Sequence, residues 1–184
     1  MHFISLENAL KRYARMGDAQ AVAARAFLEF LGSDDAVFER AHAFGHFTGS
    51  AWLVSADGER VLLTHHRKLA RWLQLGGHAD GDADLARVAL REAEEESGLS
   101  DLVGELEIFD LDYHRIPARG DEPEHWHYDV RYVVRATASE VFSISEESLS
   151  LAWKSIRAIA ADPAADQSLR RMADKWLVRS TSAA

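Results

Sequence analysis

Three glutamates, Glu92, Glu95 and Glu96, have the residue types and spacing that best permit chemistry in this sequence. They stand at i, i+3 and i+4 of a predicted helix and continue its apolar stripe, which begins at Leu85. Neighbouring carboxylates repel one another, and negative charge is unfavourable near the C-terminal end of a helix. A divalent cation such as Mg²⁺, which prefers oxygen ligands, would remove both costs. The alternative is a solvated acidic face that nearby arginines balance.

A pair of glycines stands between a short predicted strand and this helix. Gly76 and Gly77 close the strand predicted over residues 72–75 and open a loop that leads to the helix. Glycines adopt backbone conformations closed to other residues and leave amides or carbonyls exposed for a ligand or a metal. Since the net charge is −9, an anionic ligand would need compensation, which a bound cation could supply. Strand, glycine pair and acidic helix together predict a binding site.

The segment from Gly77 to Leu99 resembles the Nudix hydrolase signature, G-x5-E-x7-R-E-U-x-E-E-x-G-U, in which U is a bulky aliphatic residue. The sequence has Gly77, five residues, Ala83, seven residues and then the run that begins at Arg91. It departs from the signature at Ala83, where the family has glutamate, and at Ala93, which is small for its position. The flanking strands and the glycine pair also fit the organisation of the family.

This resemblance implies an α/β fold, namely an α/β/α sandwich around a mixed sheet, with Mg²⁺ or Mn²⁺ bound at the signature helix. The metal ligands it implies are three carboxylates and one backbone carbonyl, those of Glu92, Glu95, Glu96 and Gly76. Structural roles are implied for Gly77, Arg91 and Gly98. In the family the arginine typically pairs with the glutamate that is absent here, so we expect Asp82 or Asp84 to take its place.

The activity implied is metal-dependent hydrolysis of a phosphoanhydride bond, in a nucleoside diphosphate linked to another moiety or in a nucleoside triphosphate. Water would attack a phosphorus atom in line, with a carboxylate as general base. The candidates for that base are two residues on the helix and two before the last predicted strand, namely Glu95, Glu92, Glu146 and Glu147. Two alternatives are a non-catalytic nucleotide-binding sensor and an isoprenoid-diphosphate isomerase, which the lack of cysteine disfavours.

Basic residues and histidines supply candidates for substrate contacts. Arg67, Lys68 and Arg71 precede the glycine pair and could bind phosphate, although a solvated loop explains them equally well. Six of the nine histidines fall in the middle of the chain, where alternation places several of them on common strand faces. If the strands adjoin, these groups form a polar substrate pocket or an auxiliary metal position. The predicted substrate contacts are Arg67, Arg71, His78, His114, His125 and His127.

The elements that must position these residues follow from periodicity and turn signals. Helices are predicted over residues 6–13, 18–31 and 82–97 and beyond residue 163, with Gly98 capping the third. Strands are predicted over residues 47–54, 61–64, 72–75, 106–116, 126–135 and 149–153. We expect residues 1–40 to form an N-terminal helical extension and residues 41–184 to form the Nudix-type domain, including its C-terminal helix.

Composition limits the remaining classes. The chain has 184 residues, of which 47% are hydrophobic, so it can bury a substantial core. Its acidity argues against nucleic-acid binding, and it has no apolar run long enough to span a membrane. The N-terminus does not resemble a signal peptide, and the absence of cysteine favours the cytoplasm. The expected partner is a small-molecule diphosphate, and family habit implies a homodimer.

Overall fold

The computed structural model of the protein describes residues 5–66, 71–120, 122–143 and 148–182. In these ranges the α-helices are α1 (Leu6–Tyr13), α2 (Asp18–Leu31), α3 (Leu85–Ser97), α4 (Ile156–Ala161) and α5 (Gln167–Ser182). A 3-10 turn at Ala14–Met16 links α1 to α2. The strands are β1 (Gly45–Val54), β2 (Arg60–His66), β3 (Arg71–Leu73), β4 (Leu75–His78), β5 (Leu102–Ile116), β6 (His125–Ala136) and β7 (Ser148–Ser155).

The strands form one mixed sheet with the order β3-β2-β1-β6-β5, in which β4 also pairs with β1 and β7 with β2. β1 and β6 run parallel, from the pair Gly45 and Trp126 to the pair Val54 and Arg135. The other pairings are antiparallel. Because β1 and β6 are central, their register decides which side chains gather on each face of the sheet.

The helices α1, α2 and α3 pack on one face of the sheet. Their apolar residues join those of the strands in a single core, in which Leu10, Phe27, Phe47 and Val88 are fully buried. Gly49 lies directly under α3, since a Cβ there would sit 2.8 Å from the Leu85 carbonyl oxygen. Most of the large apolar residues of α1 and α2, such as Leu10 and Phe27, are therefore buried within the chain itself.

The opposite face of the sheet divides into an apolar part and a polar part. The helices α4 and α5 cover the apolar part, where Met172 and Trp176 pack against Trp52 and Val133. Alternation along β1 gives this face His46, Thr48 and Ser50 before it reaches Trp52. We call the polar part of this sheet surface the polar face, and its members are His46, Thr48, Ser50, Asp110, Asp112, His114, His125, His127, Asp129 and Arg131.

This arrangement confirms the predicted α/β fold with a mixed sheet, flanking helices and N-terminal helices. The predicted cap of the third helix is also confirmed, because Gly98 adopts φ 68° and its N–H donates to the Glu94 carbonyl. In the part of the chain that the structure describes, no helix is both long and apolar enough to cross a membrane.

Three local predictions were wrong, and one short helix was missed. The single strand predicted over 72–75 is two strands, and the glycine pair lies inside β4, where it pairs with β1, instead of opening a loop. α3 begins at Leu85, three residues late, because Asp84 caps it through the backbone N–H of Arg87. The short helix α4 was not predicted.

Candidate active site and polar face

The C-terminal half of α3 lies against the glycine pair of β4. The Gly76 backbone N–H donates to Glu96 Oε1 at 2.8 Å. A Cβ on Gly77 would stand 2.5 Å from the Glu92 carboxylate, and a Cβ on Gly76 would stand 2.3 Å from Ser50 Oγ. Two glycines are thus required because β4 passes between a carboxylate on one side and β1 on the other. We call this group the carboxylate edge, formed by Gly76, Gly77, Glu92, Glu95 and Glu96.

Arg91 ties α3 to β4. Its guanidinium donates to Glu92 at 2.8 Å and to the His78 carbonyl at 3.3 Å. Asp82 and Asp84 are the two candidates for the partner that the missing signature glutamate would supply, and the charge of Asp82 does act on Arg91. The hydrogen bonds of these two aspartates go elsewhere: Asp82 accepts from the Arg87 guanidinium at 2.7 Å, and Asp84 caps the helix. The arginine keeps a structural role through its neighbours on α3 and β4.

The carboxylate edge offers oxygen ligands of graded exposure. Glu95 is exposed, whereas only 17% of the Glu92 side chain is accessible to solvent. The carboxylates are not drawn tightly together, since among the described residues only a histidine group brings three ligand atoms within 4.8 Å of one another. Rotatable glutamates set against a glycine pair fit a hard divalent cation, which keeps several of its waters. The donor set therefore suits Mg²⁺ or Mn²⁺.

On the polar face, the Asp129 carboxylate is buried and accepts hydrogen bonds from four side chains. The donors are Ser50 at 2.7 Å, Thr48 at 3.0 Å, Gln74 at 3.2 Å and Arg131 at 2.7 Å. Buried carboxylates are tolerated when their lone pairs are satisfied in this way. Asp129 therefore connects β6 to β1 and to the chain between β3 and β4.

Arg131 lies at the centre of a buried ionic network. Its guanidinium, 2% exposed, reaches three aspartates: Asp129, Asp110 at 3.3 Å and Asp112 at 3.1 Å. Burial opposes the charge, yet the surrounding aspartates raise the pKa of Arg131. α5 completes the network, because Arg171 and Lys175 also bind Asp110. Three cations thus face three carboxylates where α5 meets the polar face.

Histidines occupy the other end of the polar face. The rings of His46, His78, His125 and His127 lie with centroids 4.7–5.2 Å apart in their contacting pairs. Burial, with smaller contributions from neighbouring histidines, lowers the pKa of His46 to about 3. The same causes lower the pKa of His127 to about 2. Both imidazoles are therefore neutral near pH 7 and keep one lone pair each.

The structure places the other predicted residues as follows. His114 pairs with His127 in the β5–β6 register, and its Nδ1 lies 3.4 Å from Asp112. Arg71 lies on β3 with its guanidinium 3.3 Å from Asp166, and its side chain is 53% exposed. Four residues named in the sequence analysis lie outside the described ranges: Arg67, Lys68, Glu146 and Glu147.

Sequence reasoning missed His46 and Arg131. His46 lies beside His127 only because β1 and β6 are parallel neighbours in that register, and the two segments are far apart in sequence. Arg131 continues the alternation of His127 and Asp129 along β6, so its face was readable from the sequence. Its partner Asp129 shares that face, but its other two carboxylate partners, Asp110 and Asp112, could not be predicted because they come from β5.

Comparison with known proteins supports the same family. A model of the NUDIX domain matches residues 46–175, more than half of the chain. No curated protein sequence matches it. Among solved structures, a C. elegans Ap4A hydrolase in a binary complex aligns with TM-score 0.58 and 14% identity, covering 74% of this chain and 98% of that one.

Two other solved structures align similarly. The MutT protein from Methanosarcina mazei has TM-score 0.56 and 18% identity over 73% of this chain and 94% of its own. The E. coli dihydroneopterin triphosphate pyrophosphohydrolase has TM-score 0.55 and 15% identity over 72% and 95%. These structures share the fold, and the family model matches the signature segment itself. The chain belongs to the NUDIX family, and the prediction that it is a Nudix hydrolase is confirmed.

Proposed function

We propose that this Nudix hydrolase depends on Mg²⁺ or Mn²⁺ and cleaves a phosphoanhydride bond in a nucleoside diphosphate linked to another moiety or in a nucleoside triphosphate. The observation that carries the proposal is the packing of the Glu92 and Glu96 carboxylates against the glycine pair of β4. Negative oxygens therefore lie beside the half-buried backbone of β4, where a cation could join protein and phosphate oxygens.

The metal would be held by Glu92, Glu95, Glu96 and the Gly76 carbonyl. When bound, it would neutralise phosphate charge and make a bound water more acidic. Glu96 already accepts the Gly76 N–H, and Glu92 accepts a hydrogen bond from Arg91. These two carboxylates are therefore oriented by the protein, as metal ligands need to be.

Glu95 is the general base we favour. It is exposed at the carboxylate edge, whereas Glu92 is engaged by Arg91. In the proposed step a water oxygen bonds to phosphorus, its proton passes to the carboxylate, and the bridging phosphorus–oxygen bond breaks. Glu146 and Glu147 stay alternative bases, and both lie outside the described residues.

The rest of the substrate would lie toward the polar face and the arginines before the glycine pair. We propose contacts from His78, which lies on β4, and from His114, which lies on β5 and pairs with His127 of β6. The other proposed contacts are Arg67, Arg71, His125 and His127. The solved relatives include an Ap4A hydrolase and a dihydroneopterin triphosphate pyrophosphohydrolase, and their substrates are reasonable first probes.

A substrate screen tests the proposal. The chelated protein would be assayed against nucleoside triphosphates, dinucleoside polyphosphates and nucleotide sugars, with Mg²⁺ or Mn²⁺ added back, and released phosphate or pyrophosphate measured. We expect turnover only with metal. Nucleotide binding by calorimetry without any turnover would instead support the sensor alternative, which the alanine at position 83 keeps open.

We propose a cytoplasmic location and a homodimer, and size-exclusion chromatography with light scattering measures the second. The division at residue 40 can be tested by deleting residues 1–40. Because Leu10 and Phe27 are buried in the same core as the sheet, we expect that truncation to lower the melting temperature.

A further inference from the structure

The first residues of β1 and β6 bring three histidines together. His125 and His127 alternate along β6 and so share a face, and His46 is the register partner of His127 in the parallel pairing. One ring nitrogen from each of the three lies within 4.8 Å of the others. They belong to the polar face and not to the carboxylate edge.

The spacing of the nitrogens matches a coordination shell. His125 Nε2 and His127 Nε2 stand 3.2 Å apart. Tetrahedral zinc with Zn–N bonds of about 2.0–2.1 Å requires its ligand nitrogens to be separated by roughly 3.3 Å. The two imidazoles therefore already stand at the separation that a shared metal ion would give them.

The tautomer of His125 is fixed from outside the cluster. Its Nδ1 lies 2.8 Å from the Pro123 carbonyl, which only accepts, so Nδ1 carries the proton and donates. Nε2 then keeps its lone pair and directs it toward His127. Metal-binding histidines commonly donate their second nitrogen to a backbone carbonyl in this manner.

The burial of the His46 imidazole is the strongest indication of a bound ligand. The residue is 1% exposed, and neither ring nitrogen has a hydrogen-bond partner among the described residues. Buried polar groups in native proteins are nearly always satisfied, so this imidazole calls for a partner such as a bound ion. Its ring centroid lies 4.7 Å from that of His127 and 5.0 Å from that of His125, which places the missing partner inside the group.

Close packing of the two strand starts holds the group in place. A Cβ on Gly45 would lie 2.3 Å from the Trp126 carbonyl oxygen, so only glycine lets β1 approach β6 this closely. His78 stands next to the group, with ring centroids 5.0 Å from His46 and 5.2 Å from His127. Neutral imidazoles suit Zn²⁺ and related ions, whereas Mg²⁺ prefers oxygen.

We propose that His46, His125 and His127 bind a transition-metal ion of the Zn²⁺ class, separate from the Mg²⁺ or Mn²⁺ of the carboxylate edge. Water or His78 would fill the fourth position of a tetrahedral site. In this proposal His125 and His127 are metal ligands, and their contact with a substrate is made through the bound ion. The site rests on the histidine geometry and stands whether or not the chain hydrolyses a phosphoanhydride.

Metal titration tests the proposal. Untagged full-length protein would be stripped with a chelator and titrated with Zn²⁺ in millimolar Mg²⁺, so that the carboxylate edge is occupied by the harder ion. We expect one Zn²⁺ per chain by calorimetry and elemental analysis, and a rise in melting temperature. Co²⁺ in place of Zn²⁺ should give the visible absorption of a tetrahedral site with nitrogen ligands.

The variants His46→Asn and His127→Asn would each be checked for folding by circular dichroism. Each should lower the Zn²⁺ affinity by more than the roughly 10–100-fold that is lost when a residue hydrogen-bonded to a metal ligand is removed. His65→Asn on β2 is the matched control and should bind Zn²⁺ like the wild type. Glu95→Gln should also keep the Zn²⁺, which separates this site from the proposed hydrolysis. Absence of Zn²⁺ binding by the wild type, or equal weakening by His65→Asn, would overturn the proposal.

If His46→Asn does not fold, His127→Asn decides, because His127 is less buried. Retained Zn²⁺ affinity in a folded His127→Asn variant would also contradict the three-histidine site.

Discussion

The carboxylate edge, on α3 and β4, and the polar face, on the side of the sheet opposite α3, are built differently. The carboxylate edge comes from one stretch of chain, Gly76 to Glu96, and its three carboxylates lie on a single helix. The polar face comes from three separate strands, and its groups are mostly buried and bound to one another. The carboxylate edge can be predicted from the sequence because its residues lie close together along the chain. The network of the polar face cannot, because its residues come together only when three separate strands pair.

The largest expected effect tests whether chemistry belongs to the carboxylate edge. Glu95→Gln removes the favoured base without changing volume, so turnover should fall about 10²–10⁴-fold, the usual contribution of general-base catalysis. Phosphate release on the best substrate from the screen, with Mg²⁺, measures it. Glu94→Gln is the control, because Glu94 is an exposed neighbour on the same helix and should retain activity. Equal activity of both variants would exclude Glu95 as the base.

The second effect tests how much the buried ionic network of the polar face contributes to stability. Arg131→Met leaves Asp110, Asp112 and Asp129 without their shared buried cation, so we expect a loss of about 3–5 kcal/mol in the free energy of unfolding. Urea denaturation followed by circular dichroism measures it.

Arg115→Met is the matched control. Arg115 forms an exposed ion pair with Glu124, 3.2 Å apart, and such pairs contribute at most about 1 kcal/mol. A similar loss in both variants would mean that the buried network has no special weight in stability.

The third effect separates the two sides of the glycine pair. Gly77→Ala would push against the end of the flexible Glu92 side chain, so turnover should fall while the fold persists. Gly76→Ala would instead meet the backbone of β1, with its Cβ 2.7 Å from Ser50 Cα, and overpacking of this kind costs about 1–3 kcal/mol. Thermal melts and assays on both variants measure the contrast, and a less stable Gly77→Ala would contradict it.

The smallest effect concerns pH. Burial alone would raise the pKa of Asp112, but contact with His114 and the charges of Arg131 and Arg171 hold it well below its usual range. Its stabilising contribution is therefore complete above the unfolded pKa of about 3.9 and is lost as the pH falls through the folded value. Asp112→Asn should melt lower than wild type at pH 7, and the gap should narrow below about pH 4. A gap independent of pH would argue against the ionic role.

Local signals explain what could be predicted. The apolar spacing of α1 and α2, the αL glycine at position 98 and the alternation of β5 and β6 depend on neighbours within a few residues. The signature segment is likewise continuous, so family and fold followed from 23 residues, Gly77 to Leu99. The break between β3 and β4 did not follow, because it depends on β3 pairing with β2 and β4 pairing with β1.

The sequence by itself determined the family, the main elements and the carboxylates that stand at helical spacing on α3. Tertiary structure alone decided that His46 meets His127, that Arg131 meets two aspartates of β5, and that β4 runs between Glu92 and Ser50. The physical reason is that helical spacing is a property of one segment. The register of two parallel strands instead depends on which side chains are buried on each face of the whole sheet, and no short stretch of sequence determines that.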